Sequence, residues 1–351
     1  MNTDKKKITF VVNPKSGTQD KTQIAALITE CLNHDNYDYQ IVHTQYAGHA
    51  AEIAADCASA GHHAVVAVGG DGTINEVGRS LVHTGTALGI IPCGSGTGLA
   101  RHLHIPLNAR KALDVLNEGY IETIDYGKIN DKIFFCTCGV GFDAFISLKF
   151  ANAGKRGPLT YLEQVLKQSL SYQPETYELE IEGITEHYKA FVITCGNAAQ
   201  YGNNAFITPR ASLTDGVLDI TVLQPFTLPD VPSLSFQLFN KTIDQNSHIK
   251  TFRCKSVTIH RSHSGVAHFD GDPVMMGEDL HVSIIPSGLQ VLTPQEPESP
   301  EHDSSMLERT GEVIINELKE LNDEFLEGVK RRNKEIKDLA EEQIKKLTHN
   351  L

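Results

Sequence analysis

The run VVAVGGDGTINEV, Val65 to Val77, carries an unbroken apolar strand into a glycine turn and then into a helix-forming segment. A continuously apolar strand belongs in a sheet covered on both faces, so the run predicts a parallel α/β sheet. The glycines at Gly69, Gly70 and Gly72 permit positive φ and let a ligand come close to the backbone. Thr73 stands where the helix begins, which turns free N–H groups and the positive end of the helix dipole toward whatever lies over the turn. That is an architecture for phosphate. Asp71 is the discordant residue, because an anion nest has no need of a carboxylate. It points to a bound metal, a ribose or a proton to be removed, or else to a cap on the helix at Thr73–Asn75.

The flanking chain repeats the alternation. KITFVVNP and YDYQIVHT read as strands, and TQIAALITECL, AGHAAEIAADCASAG and INEVGRSLVHT as helices. ALGIIPCG then leads into a second glycine loop, Gly94–Gly98. Both glycine loops follow strands at their carboxyl ends, where open α/β sheets bind ligands. From about Ile121 the texture changes to short β-prone runs with turn signals, which predict an antiparallel sandwich or barrel-like domain. A helical excursion, GPLTYLEQVLKQSLSY, interrupts it, and Leu289–Leu292 lies beyond a Pro-Ser-Gly turn, placed to return to the first domain. The boundaries read as 1–123 with 286–294 for the α/β domain and 124–285 for the β domain. A Pro-, Ser- and acid-rich linker follows over 295–305, and then one amphipathic helix over 306–351. In that helix Ile314, Leu318, Leu321, Phe325 and Val329 recur at helical intervals amid mixed charge, the pattern of a helix that docks on its own protein or pairs with a second copy.

A chain of 351 residues exceeds one typical domain. Its formal net charge of −13 argues against a nucleic-acid partner, since neutralising phosphates needs a basic surface. No apolar run is long enough to span a bilayer, so membrane contact is expected to be peripheral. The start has no apolar h-region, and the seven cysteines lack metal-ligand spacing, which together fit reduced thiols in a cytoplasmic protein with transient membrane association.

Asn13-Pro14-Lys15-Ser16-Gly17 closes the first strand and makes a third loop at the same sheet edge. Taken with Gly69–Thr73, Pro92–Arg101, Gly139–Ala144, the stretch from Gly196-Asn197 to Asp215-Gly216-Val217-Leu218-Asp219, and Asp270-Gly271-Asp272, the order and spacing resemble the diacylglycerol kinase catalytic-domain family. That family includes bacterial lipid kinases and the sphingosine and ceramide kinases, and the resemblance covers roughly Lys7 to Leu292. It implies an α/β nucleotide-binding domain of the NAD kinase and diacylglycerol kinase type, an antiparallel β-sandwich and a cleft between them, here with a C-terminal helical extension. ATP with Mg²⁺ would be held by Asn13, Ser16, Gly17, Gly69, Gly70, Gly72, Thr73 and Asn75, and by Gly94, Ser95, Gly96, Thr97 and Arg101. The acceptor would be a lipid hydroxyl met at a membrane surface, with Asp143 and Asp270 in the cleft. A structural Mg²⁺ would sit on Asp215 with the backbone of Ser212 and Val217.

Two carboxylates are candidates for the base, Asp71 and Asp272. Asp272 stands where bacterial members carry Glu, and the missing methylene shortens its reach by about 1.5 Å. Taken without the resemblance, Asp270-Gly271-Asp272 reads as a hairpin turn. Thr97-Gly98 replaces the Asn-Asp of many bacterial members, while Gly94-Ser95-Gly96 and Gly98 lean toward the sphingoid and ceramide branch. Two other readings remain: an NAD kinase-like enzyme, and a non-catalytic scaffold that keeps the kinase fold and forms homo-oligomers through its tail.

Overall fold

The protein was analysed as a computed structural model that describes residues 5–16, 22–94, 96–144, 147 and 172–295. The excursion over 157–171, most of the linker and the helix over 306–351 lie outside the described residues. Strands β1 (Lys6–Val12), β2 (Tyr37–His43), β3 (Ala64–Gly69) and β4 (Ala87–Pro92) form a parallel sheet in the order β2-β1-β3-β4. Every residue of β3 and β4 is buried, because helices cover both faces. The helices are α1 (Thr22–Cys31), α2 (His49–Ser59), α3 (Asp71–Leu81), α4 (Gly98–His102) and α5 (Ala109–Glu118). Asn108 caps α5 by accepting from the Arg110 and Lys111 amides, a start signal of the usual kind.

Strand β5 (Tyr120–Ile129) leads out of this layer into β6 (Lys132–Phe134) and β7 (Thr137–Gly141). After them come β8 (Glu175–Ile181), β9 (Ile184–Ala190), β10 (Val192–Gly196), β11 (Leu218–Leu223), helix α6 (Val231–Phe239), β12 (Ile249–Cys254) and β13 (Ser256–Arg261). The last three are β14 (Gly265–Phe269), β15 (Asp272–Met276) and β16 (Asp279–Thr293). One sheet runs β12-β11-β10-β7-β14-β15 and is antiparallel throughout. It packs on β13, β8 and the first half of β16 through alternating positions: Ile193 and Cys195, Leu218, Ile220 and Val222, Val257 and Ile259, Leu280 and Val282. A one-residue slip would move each set to the opposite face, so burial pins the register.

Strand β16 joins the two layers. Its first half pairs with β13, a register shift falls between Ile285 and Leu289, and beyond it Val291 lies parallel to Leu88 of β4 while Leu289–Thr293 run antiparallel to β5. Asp125 of β5 holds this crossing. Its carboxylate accepts from the Ser287 and Gly216 amides, each at 2.8 Å, and its own carbonyl accepts from Asn197 Nδ2 at 3.0 Å.

Candidate active site

Three loops meet at the carboxyl edge of the parallel sheet. Asn13 donates from Nδ2 to Thr73 Oγ1 at 3.1 Å, and Ser16 Oγ donates to the Asn13 carbonyl at 3.1 Å, so the first loop is tied to the start of α3. Gly17 and Ser95 lie outside the described residues. The glycines of the turn act through space and not through positive φ. Gly70 is extended, at φ −92° and ψ −174°, and neither Gly69 nor Gly72 is left-handed. A Cβ at Gly69 would lie 2.6 Å from Thr73 Oγ1, and one at Gly94 would lie 2.7 Å from the Gly70 Cα. The two glycine loops therefore touch backbone to backbone. Gly70 supplies no side-chain cap to α3, so the first-turn amides of this eleven-residue helix face the cleft unpartnered by their own helix. The site thus fits an anionic phosphate chain.

Asp71 turns away from that opening. Its Oδ2 accepts from the Thr97 amide at 2.9 Å and its Oδ1 from the Gly98 amide at 2.8 Å. The carboxylate is the anion in the second loop's nest and closes the N-terminus of α4. Burial pushes this carboxyl up from its ordinary value, while the Thr97 and Gly98 amides and the Arg101 guanidinium pull it down. Arg101 also serves the loop, with Nε donating to the Gly96 carbonyl at 3.3 Å and to Thr97 Oγ1 at 3.2 Å. Thr97 takes up φ 51° and ψ 43°, a left-handed conformation that a β-branched side chain disfavours. Asn tolerates it better, so Thr97→Asn is expected to raise stability by about 1 kcal/mol. A thermal unfolding comparison checks this, and an unchanged or lower Tm would count against strain at Thr97.

On the opposite wall, β14 and β15 are joined by Asp270 and Gly271, at φ 47° and 84°. Two positive-φ central residues make a type I′ hairpin turn. Asp270 is fully engaged: Oδ2 accepts from Asn75 Nδ2 at 2.8 Å and the Phe135 amide at 2.9 Å, and Oδ1 from the Cys136 and Thr137 amides at 2.7 and 3.2 Å. It fastens the hairpin to α3 and to the β6–β7 connection, and has little left to offer a substrate. Asp272, the next residue after the turn, reaches α3, where a Cβ at Gly72 would lie 3.8 Å from its Oδ2. Asp272 is exposed as a residue, but water is partly displaced from its carboxyl where it lies against α3, and this loss of hydration, with the Asp270, Glu76 and Asp71 carboxylates around it, pushes Asp272 up to about 6 against the pull of Arg79. A carboxylate with that proton affinity, over a helix N-terminus, can take a proton near neutral pH.

Asp143 lies on the outer face of the antiparallel sheet, bonded to Thr194, Tyr201 and His268. The loop carrying Tyr201 reaches the second glycine loop: the Asn203 amide donates to the Gly96 carbonyl at 3.2 Å, and a Cβ at Gly98 would lie 3.0 Å from the Tyr201 carbonyl oxygen. At Asp215 the neighbours are donors. Arg253 pairs with Oδ2, and the Val217 amide donates to Oδ1 at 3.2 Å. As these side chains stand the carboxylate is paired with a guanidinium and does not fit a metal ligand set with Ser212 and Val217. Among the described residues no group of three or more His, Cys, Asp or Glu side chains could hold a metal ion. The pattern reading misses Tyr201, Thr194, His268 and Asp125, because a lone polar residue on a strand has no periodic signature until its partners are placed.

Comparison with known proteins follows the same division. Residues 7–129 match the diacylglycerol kinase catalytic domain, and residues 136–293 match the YegS C-terminal NAD kinase beta sandwich-like domain. A diacylglycerol kinase of Mycobacterium tuberculosis is 30% identical over 299 residues, which cover 82% of this chain and 96% of that protein. A protein of Salmonella arizonae named probable lipid kinase YegS is 28% identical over 292 residues, covering 81% and 95%. The crystal structure of a diacylglycerol kinase from Bacillus anthracis superposes with a TM-score of 0.63 at 18% identity, over 84% of this chain and 99% of that one, and so shares the fold. With its two matched domains laid end to end across the loops and hairpin described above, the chain belongs to the diacylglycerol kinase catalytic-domain family and is a lipid kinase.

Proposed function

We propose that the protein transfers the γ-phosphoryl group of ATP to a primary hydroxyl of a diacylglycerol-like or sphingoid-base-like lipid, with Asp272 as the base. The observation that carries this reading is the position of the Asp272 carboxyl across from the uncapped N-terminus of α3, beside Gly72. The first-turn amides of α3 would hold the phosphates, with Asn13 and Thr73 fixing the adjacent loop. The acceptor hydroxyl gives its proton to Asp272 as its oxygen bonds to the γ-phosphorus, and the bond from that phosphorus to the bridging oxygen breaks to release ADP. Such catalysis is mainly positioning and neutralisation of charge. Mg²⁺ would travel with the nucleotide on phosphate oxygens, where it neutralises charge. Both amide-bonded oxygens of Asp71 leave that residue to the loop.

The acceptor would be met at a membrane surface, and no helix among the described residues is long and apolar enough to cross a membrane. The test is transfer of labelled phosphate from ATP to diacylglycerol, monoacylglycerol, sphinganine, ceramide and undecaprenol in mixed micelles, with soluble NAD in parallel. Labelled lipid is the expected product. Label on NAD alone, or on nothing while the protein is folded, would overturn the reading.

A further inference from the structure

Helix α6 and the turn before it present an apolar surface to solvent. The seventeen residues from Gln224 to Asn240 carry one charged side chain, Asp230, where the 21% of charged residues in the whole chain would give about four. Asp230 is engaged within the turn, its Oδ2 accepting from the Thr227 amide at 2.8 Å and from Thr227 Oγ1 at 2.7 Å. Along α6, Val231, Leu234 and Leu238 make the inward stripe, and the last two pack with Ile243, Ile249 and Phe226. The outward stripe of a surface helix is ordinarily polar. Here it carries Phe236, which at 68% is the most exposed of the large apolar side chains among the described residues. Pro232, one turn before it, is exposed, and Phe239, one turn after it, is half-buried.

The size and charge of this stripe select its occupant. One phenylalanine buries on the order of 150–250 Å² at most, so the stripe offers a few hundred Å², short of the roughly 800 Å² per partner that a stable protein interface needs. Binding to a bilayer has no such threshold and scales with the apolar area that enters it. General electrostatic attraction to a membrane is not available to a chain of net charge −13, and the segment brings no cation before Lys241, so apolar contact has to carry the binding. The stripe is also tied to the cleft. The Leu238 carbonyl accepts from the Phe206 amide at 2.9 Å and Lys241 Nζ lies 4.4 Å over the Phe206 ring, while in the same loop the Asn203 amide donates to the Gly96 carbonyl.

We infer that the stripe of Pro232, Phe236 and Phe239 is the face by which the protein rests on a lipid bilayer, with α6 lying in the membrane plane and Phe236 entering the acyl boundary. The inference rests on the reading that the acceptor is a membrane lipid. Because apolar contact carries it, binding should occur on vesicles of zwitterionic phosphatidylcholine alone and change little with salt. Phe236→Ser should need on the order of 10- to 100-fold more lipid for half-saturation, the share of one phenyl ring. Since that ring stands in solvent, the variant should keep the parent's Tm and KM for ATP.

The chain contains no tryptophan, so Phe236→Trp places a single indole on the stripe of the full-length protein. With phosphatidylcholine vesicles its emission should move to the blue and be quenched by lipids brominated on their acyl chains. Ile184→Trp and Met275→Trp, at positions 65% and 66% exposed elsewhere on the surface, should show neither effect. An indole at position 236 that does not respond to vesicles, or that responds less than either of these two, would overturn the assignment. So would an emission already blue without lipid, which would mean that the protein's own tail or a second copy covers the stripe. If the indole at 236 enters the vesicles while no lipid is phosphorylated, the docking face stands and the kinase reading fails. If labelled lipid forms while Phe236→Ser binds vesicles as tightly as the parent, the kinase reading stands and the docking face falls.

Discussion

Replacing Asp272 by Asn is expected to lower kcat by about 10²–10⁴-fold, the range for loss of a positioned general base, with nucleotide affinity retained. The pH dependence should identify the group. With its carboxyl pushed up to about 6, the parent's kcat/KM should fall as pH drops below that value, because the base is then protonated. The acidic limb should vanish from the residual activity of Asp272→Asn. A limb near 6 that persists in the variant would assign the titration to another group and remove Asp272 from the mechanism.

Stability should move in the opposite sense to activity. The folded protein raises this carboxyl above its ordinary value, so between about pH 4 and about 6 the native state holds more protons than the unfolded chain, and stability falls as pH rises through that window. Above it, the ionised carboxylate is held among Asp270, Glu76 and Asp71 at a standing cost. Asp272→Asn removes that cost, so its Tm should exceed the parent's above pH 6 and match it below pH 4. Asp272→Glu should stay active or exceed the parent, because Asp272 is exposed and Gly72, which has no side chain, leaves space beside it for the extra methylene. A variant that loses activity and stability together would mark Asp272 as structural.

The alternation of apolar runs announces the parallel sheet, and the two glycine loops at strand ends announce where a ligand sits. Positions in space between distant residues are another matter. Asp71 stands next to glycines in sequence, but its partners are the amides of Thr97 and Gly98, residues that approach only when β4 is laid beside β3. Cys136 and Cys138 have the spacing of one strand face, yet Asp270 catches the Cys136 and Thr137 amides and bends the chain between β6 and β7. Cys136 then enters the core of the first layer and Cys138 the core of the sandwich. The left-handed backbone at Thr97, beside a turn whose glycines are not left-handed, is likewise a product of packing. Local pattern reports periodicity, and long-range hydrogen bonds redistribute the roles of residues within it.

Replacement of Asp71 by Asn is expected to abolish turnover and to lower Tm together, which separates a clamp from a base. The carboxylate satisfies two backbone donors with two oxygens. An amide has one oxygen, so either the Thr97 or the Gly98 N–H would face an NH₂ group. Losing one hydrogen bond to a charged acceptor costs about 1.5–3 kcal/mol, and leaving the donor unmatched adds to it. At about 2–4 °C per kcal/mol, Tm should fall by several degrees. Helix α4 has only five residues and cannot hold its own N-terminus, and the Gly96 carbonyl in the freed loop is the acceptor for Asn203 of the second domain. Loosening therefore reaches both walls of the cleft, and ATP affinity should weaken along with kcat. Asp71→Glu should fail as well, since Gly96 sits so close that even a Cβ there would lie 2.8 Å from Oδ2. Were Asp71 instead the proton acceptor, Asp71→Asn would be inactive with parental Tm and parental ATP affinity, so the two measurements decide between the roles.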